Sequence, residues 1–238
     1  MLFYSYRWCT PSALSIVEIT RLTRALIVGD YHLWFVPALL GAGLLLYSLR
    51  NIGGNILLFL SMILFGIGVL MQYAGNYHLV SINIVDKYLN VEYFYRNALF
   101  LGFPFFSVGY LINLYGLNER FSERVLFIAC VFCLAFLLAE VSANYLLLDG
   151  CEGFDIYASL FLICPAVFML IIKLNLYGKG KNIMLMSSSI YFAHPFVIFV
   201  LSKFVVLHHS ALFLCASIFS ILMSFLLIKL NKIVKIAL

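Results

Sequence analysis

The sequence predicts an all-α protein, a polytopic transmembrane bundle of about seven spans, and three observations predict it. First, 65% of its 238 residues are hydrophobic and only 11% are charged. A soluble domain runs at about 45–50% apolar and about 25% charged. Second, no Asp, Glu, Lys or Arg occurs in 31–49, 51–85, 97–118, 125–139, 156–172, 182–202 or 204–228. A spanning helix needs about 20 predominantly apolar residues. Third, these runs are continuous rather than alternating, so they are not barrel strands, and in lipid only helices or closed barrels satisfy the backbone. The same composition excludes a soluble enzyme, a disordered chain and a nucleic-acid binder. The formal net charge of +5 is scattered between apolar runs, as expected of loop charges that set orientation.

Taken in order, residues 1–30 come first and differ from the rest. They carry Arg7, Glu18, Arg21, Arg24 and Asp30, and 12–28 reads S-A-L-S-I-V-E-I-T-R-L-T-R-A-L-I-V. That amphipathic pattern predicts an interfacial or loop segment ahead of a transmembrane domain over 31–238. Spans are expected near 33–49, 55–74, 95–115, 124–147, 155–174, 183–205 and 210–229. The run 51–85 is too long for one helix. It opens with Gly53-Gly54 and closes with Tyr73-Ala74-Gly75-Asn76, which read as breakers. Pro104 with Gly102 and Gly109 predicts a bent helix lining a cavity, and Pro195 predicts a kink in the sixth span. Cys130, Cys133, Cys164 and Cys215 sit in apolar runs as small buried hydrophobes. Cys130 and Cys133 have C-x-x-C spacing but no His or second pair nearby, so no metal site is expected.

Orientation follows from Lys and Arg. Six lie on the side of the N-terminus, loop 75–95, loop 148–154 and turn 206–209; nine lie on the other. The bias predicts an external N-terminus and a cytoplasmic C-terminus.

Ionisable groups at membrane depth are costly and point to function. His194 lies near the midpoint of the sixth span before Pro195, and Ser187, Tyr191 and His194 share one helical face. The face is read either as packing with a hydrogen-bonded His or as part of a site. Glu140 lies two thirds of the way along the span 124–147, and is read as an ion pair with Lys203 or as a site carboxylate. Arg96, at the outer start of its span, is either a snorkelling interfacial Arg or an anion binder. Asp30, His32 and Trp34 stand at the start of the first span, where Trp is an interfacial anchor and His32 a possible base. His78, His208 and His209 read as solvated loop residues.

Three stretches resemble one family. H-L-W-F-V-P-A-L-L (32–40), R-N-A-L-F-L-G-F-P-F-F-S-V-G-Y-L-I (96–112) and S-S-S-I-Y-F-A-H-P-F-V (187–197) occur in that order. They resemble the acyltransferase 3 family of integral-membrane O-acyltransferases. The resemblance covers roughly 31–230 and implies acyl transfer, commonly of acetyl from acetyl-CoA, to a hydroxyl of a surface glycan, a lipid-linked sugar or another carbohydrate. It implies a cell-envelope enzyme of a bacterial inner membrane, with the lipid bilayer and the acceptor as partners and no metal. The family has ten spans and carries an Arg…His pair in the first of them. That region would fall before Met1, and the Arg24–His32 spacing is too short to replace it. The expectation is therefore a chain lacking the first three family spans, which puts its activity on its own in question.

The chemistry needs a base for the acceptor hydroxyl, donors for the oxyanion and cations for the phosphates of CoA. The candidates are His32 and His194 as catalytic residues, with Trp34, Arg96, Tyr191 and Glu140 binding substrates. The alternative reading is a non-catalytic polytopic membrane protein or a transporter-like remnant. It is the weaker one, because a transporter should show paired broken helices in an internal repeat.

Overall fold

Each apolar run becomes a helix, because in lipid the backbone must satisfy its own hydrogen bonds. The computed structural model describes residues 20, 23, 34–148, 153–174, 180–204 and 209–234. Apart from Thr20 and Thr23, the amphipathic segment 1–30 lies outside them, as does His32. In chain order the helices are α1 (Phe35–Leu49), α2 (Gly54–Asn76), α3 (Asn83–Leu89), α4 (Phe103–Leu114), α5 (Leu117–Arg120), α6 (Glu123–Leu147), α7 (Leu160–Lys173), α8 (Gly180–Phe204) and α9 (His209–Val234). A 3₁₀ turn (Glu92–Phe94) and a π turn (Ala98–Gly102) precede α4. The chain is an all-helical, polytopic membrane bundle, and no strand occurs among the described residues.

Among the described residues, four helices are long and apolar enough to cross a bilayer: Gly54–Asn76, Glu123–Leu147 and the stretches Ile183–Lys203 and Ala211–Asn231. The other three predicted spans are shorter apolar helices, Phe35–Leu49, Ala98–Leu114 and Leu160–Lys173. At 1.5 Å per residue, the 14 residues of α7 reach about 21 Å against a hydrocarbon core of about 30 Å. The span expected to start at 155 starts at Leu160, because Ile156, Ala158 and Ser159 give their N–H groups to side chains of α2 and α6. The helix expected between Gly53-Gly54 and the breakers at 73–76 is α2, which ends at Asn76, two residues past the expected 74. The Asn76 side-chain amide reaches the Gly153 carbonyl at 3.1 Å.

The π turn has a local cause. Pro104 has no N–H for the Phe100 carbonyl, and its ring would press on that carbonyl in a straight α-helix. The chain widens instead, so that the Asn97 carbonyl accepts from both Leu101 N and Gly102 N. The Asn97 side chain caps the turn by accepting from Leu99 N and Phe100 N. The turn packs closely on α1, and a Cβ on Gly102 would lie 2.9 Å from both the Ala38 carbonyl oxygen and the Ala42 Cβ. Small residues at helix contacts are how membrane helices approach one another.

The described helices fall into two compact units. In the unit α1–α7, one buried cluster is Ala42, Leu57, Phe103 and Leu111, and a second is Phe65, Val69, Tyr95 and Ile156. Phe65 meets Phe105 edge-on at 5.4 Å and Phe161 at 5.2 Å. In the other unit α8 and α9 pack along stripes of small residues, Ser189, Ala193 and Val197 against Ala216, Ser220 and Ser224, all buried.

Candidate functional site

The site is built at the end of the α1–α7 unit where α2 and α6 finish and segment 153–159 crosses to α7. Polar side chains recur at helical spacing there: Gln72, Tyr73 and Asn76 on α2 with Tyr77 just past its end, and Glu140 and Asn144 on α6. Gln72 Oε1 accepts from Ile156 N at 2.8 Å. Glu140 Oε1 accepts from Tyr73 Oη at 2.6 Å and Ala158 N at 2.8 Å, and its Oε2 accepts from Ser159 N at 2.9 Å. Asn144 donates to Tyr73 Oη at 2.9 Å and accepts from Tyr77 Oη at 2.7 Å. Phe154 packs between these tyrosines, 5.0 Å from Tyr73 and 6.3 Å from Tyr77, and stacks on Tyr157 at 5.6 Å. Burial pushes the Tyr157 hydroxyl up, helped by the carboxylates of Glu140 and Asp155, so it stays a neutral phenol.

Glu140 therefore fastens segment 153–159 by capping the start of α7. Its partners are one hydroxyl and two amides. Lys203 places its ammonium over the Phe199 ring at 4.7 Å.

That fastened segment presents Asp155 to Arg96. The guanidinium of Arg96 meets Asp155 at 2.9 Å through Nη1 and Glu92 at 2.6 Å through Nη2. Its Cζ lies 4.9 Å from the centre of the Trp34 ring, within cation–π range. The side chain of Arg96 is only 17% exposed, that of Glu92 61%. So the structure brings Trp34 and Arg96 together and joins Glu140 to them through Asp155.

His194 and Tyr191 belong to the other unit, on α8, with ring centres 6.1 Å apart. His194 Nδ1 lies 3.1 Å from the Ile190 carbonyl oxygen. A carbonyl can only accept, so Nδ1 carries a proton, and in a neutral imidazole that leaves Nε2 as the accepting nitrogen.

Sequence reading missed Gln72, Tyr73, Asn76, Tyr77, Asn144 and Asp155. The signal was present as i, i+4 pairs, 72/76, 73/77 and 140/144, inside runs otherwise apolar. His78, read as a solvated loop residue, is 62% exposed and pairs with Asp86 at 2.8 Å.

A helical bundle with helices long and apolar enough to cross a bilayer, and a polar, aromatic cluster at one end of one unit, defines an integral membrane protein. Residues 2–229 match the family model of an acyltransferase domain, that of acyltransferase 3. The chain belongs to the acyltransferase 3 family and is an integral-membrane acyltransferase. No curated protein and no solved structure matches it.

Proposed function

We propose that this membrane acyltransferase transfers an acetyl group from acetyl-CoA to a hydroxyl of a cell-surface glycan or other carbohydrate. The observation that carries the reading is the cluster Trp34–Arg96–Asp155. An aromatic face beside a fixed guanidinium and carboxylate supplies the stacking surface, the donors and the acceptors that a sugar needs.

In the reaction a base takes the proton of the acceptor hydroxyl as its oxygen attacks the thioester carbonyl. The tetrahedral oxyanion is met by hydrogen-bond donors. The carbon–sulfur bond then breaks and CoA leaves as the thiol. His32 is assigned as base or orienter of the acceptor. His194 and Tyr191 are assigned to the acyl passage, and the tautomer fixed at Ile190 supports a proton-accepting role for His194.

Arg96 is a poor fit for the phosphates of CoA, since two carboxylates already hold it. Arg124 at the start of α6 and Lys173 at the end of α7 fit better. Both lie about 20 Å along their helices from the Glu140 contact, at the opposite end of the unit. The nine-to-six bias of Lys and Arg supports placing that end, and the C-terminus, on the cytoplasmic side of a bacterial inner membrane.

The test is expression of the chain in a bacterial host, with ester-linked acetate on its glycans read by mass spectrometry. Chain-dependent acetylation is expected, and it should vanish in the double variant His32→Ala, His194→Ala. Acetylation unchanged in that variant would sink the assignment of both histidines.

A further inference from the structure

A cleft of about 590 Å³ opens between the start of α1, the π turn with α4, and α7. That lies within the range of about 300–1,000 Å³ usual for small-molecule sites. Phe35, Phe105, Phe106, Ile112 and Phe168 are among its walls, and its lining is apolar almost throughout. Trp34 joins it to the polar cluster, since its ring both lines the cleft and lies against Arg96. Gly109 also lines it, and a Cβ built there meets nothing within 4 Å. Unlike Gly102, this glycine serves no close helix contact, and the missing side chain keeps the cleft open.

We propose that the cleft holds the hydrocarbon chain of a glycolipid-class acceptor whose hydroxylated head lies at Trp34, Arg96 and Asp155. This rests on the acyltransferase reading of the same site and states how the acceptor is presented. In a bilayer, a hydrocarbon chain gains no hydrophobic energy by leaving lipid for an apolar cleft. Selection must therefore come from the head. Arg96 stands between two carboxylates, so the cluster offers donors and acceptors together and repels a phosphate. A neutral, hydroxyl-rich head fits it, and a phospholipid head does not.

The test uses the full chain in phosphatidylcholine nanodiscs with dodecyl maltoside carrying a diazirine in its alkyl chain. After irradiation, adducts are mapped by mass spectrometry. They are expected on α4 between Phe105 and Ile112 and on α7 between Cys164 and Phe168. Unlabelled dodecyl maltoside should compete, and dodecyl phosphocholine should not. Gly109→Trp fills the cleft and should lower adduct yield by about tenfold or more. Gly66→Trp, at an α2 glycine equally open to a Cβ, should leave the yield unchanged. Trp34→Ala leaves the far walls intact and should weaken competition by maltoside by about tenfold, which keeps the test decisive if Gly109→Trp does not fold. Equal yields in both glycine variants, or equal competition by phosphocholine, would mean ordinary boundary lipid and overturn the proposal. So would adducts that disappear when each nanodisc holds one copy, which would mean a second chain covers the cleft. Binding is read apart from catalysis, so the two readings fail separately. Adducts without acetyl transfer break the acyltransferase reading alone, and equal KM for free maltose and dodecyl maltoside breaks this one alone.

Discussion

At the scale of single residues, Arg96 and Glu140 do different things. Arg96 divides one guanidinium between two carboxylates and an indole face. A lysine keeps the charge but cannot form two directed contacts and stack as well. Arg96→Lys should therefore raise the acceptor KM by about tenfold, roughly 1.4 kcal/mol. The melting temperature should hardly move, because Glu92 is 61% exposed and such pairs add little to stability. Initial-rate kinetics beside a thermal melt would separate the two effects. Glu140, by contrast, supports the fold around the cluster. Its two oxygens serve three donors. Glu140→Gln offers one accepting oxygen and turns an NH₂ toward an N–H. It leaves a donor unpaired and should cost about 1–3 kcal/mol. Glu140→Ala should cost more. Thermal unfolding measures both, and faster amide exchange at Ala158 and Ser159 would locate the damage.

At the scale of elements, the sequence revealed more of the fold than of the site. The apolar runs placed the seven apolar helices found among the described residues, since membrane helices are written in one-dimensional hydropathy. Their ends were less legible. α7 begins at Leu160 because Glu140 and Gln72, far away in sequence, take the N–H groups just before it. Asp155, a partner of Arg96, was hidden for the same reason, as it lies 59 positions along the chain and arrives only when segment 153–159 is fastened. Pro104 did announce a bend, but the close approach of that bend to Ala38 and Ala42 is tertiary and was not legible. That contact makes a clear prediction. Gly102→Ala puts a methyl 2.9 Å from the Ala38 oxygen and the Ala42 Cβ, and overpacking of this kind costs about 1–3 kcal/mol. Gly109→Ala enters open space and gains helix propensity of up to about 1 kcal/mol. Paired melts should show the first variant destabilised and the second unchanged or more stable.

At the scale of the whole molecule, the arrangement implies a direction across the membrane. Trp34, Arg96, Asp155 and Glu140 gather at the end of the α1–α7 unit where α2 and α6 finish, while Arg120, Arg124 and Lys173 lie at the end of α5, the start of α6 and the end of α7. The excess of Lys and Arg predicts that the second end faces the cytoplasm, where acetyl-CoA is made, and the first the outside, where surface glycans are. Single cysteines can decide it once the six native ones are replaced. Gly153→Cys and Arg120→Cys both lie at exposed positions at opposite ends. In intact cells a membrane-impermeant maleimide should label Cys at 153 and not at 120, and permeabilised cells should label both. The reverse pattern would put the Trp34–Arg96–Asp155 cluster in the cytoplasm. It would also exclude a surface glycan as acceptor, because no other described element carries Trp34 and Arg96 to the far side.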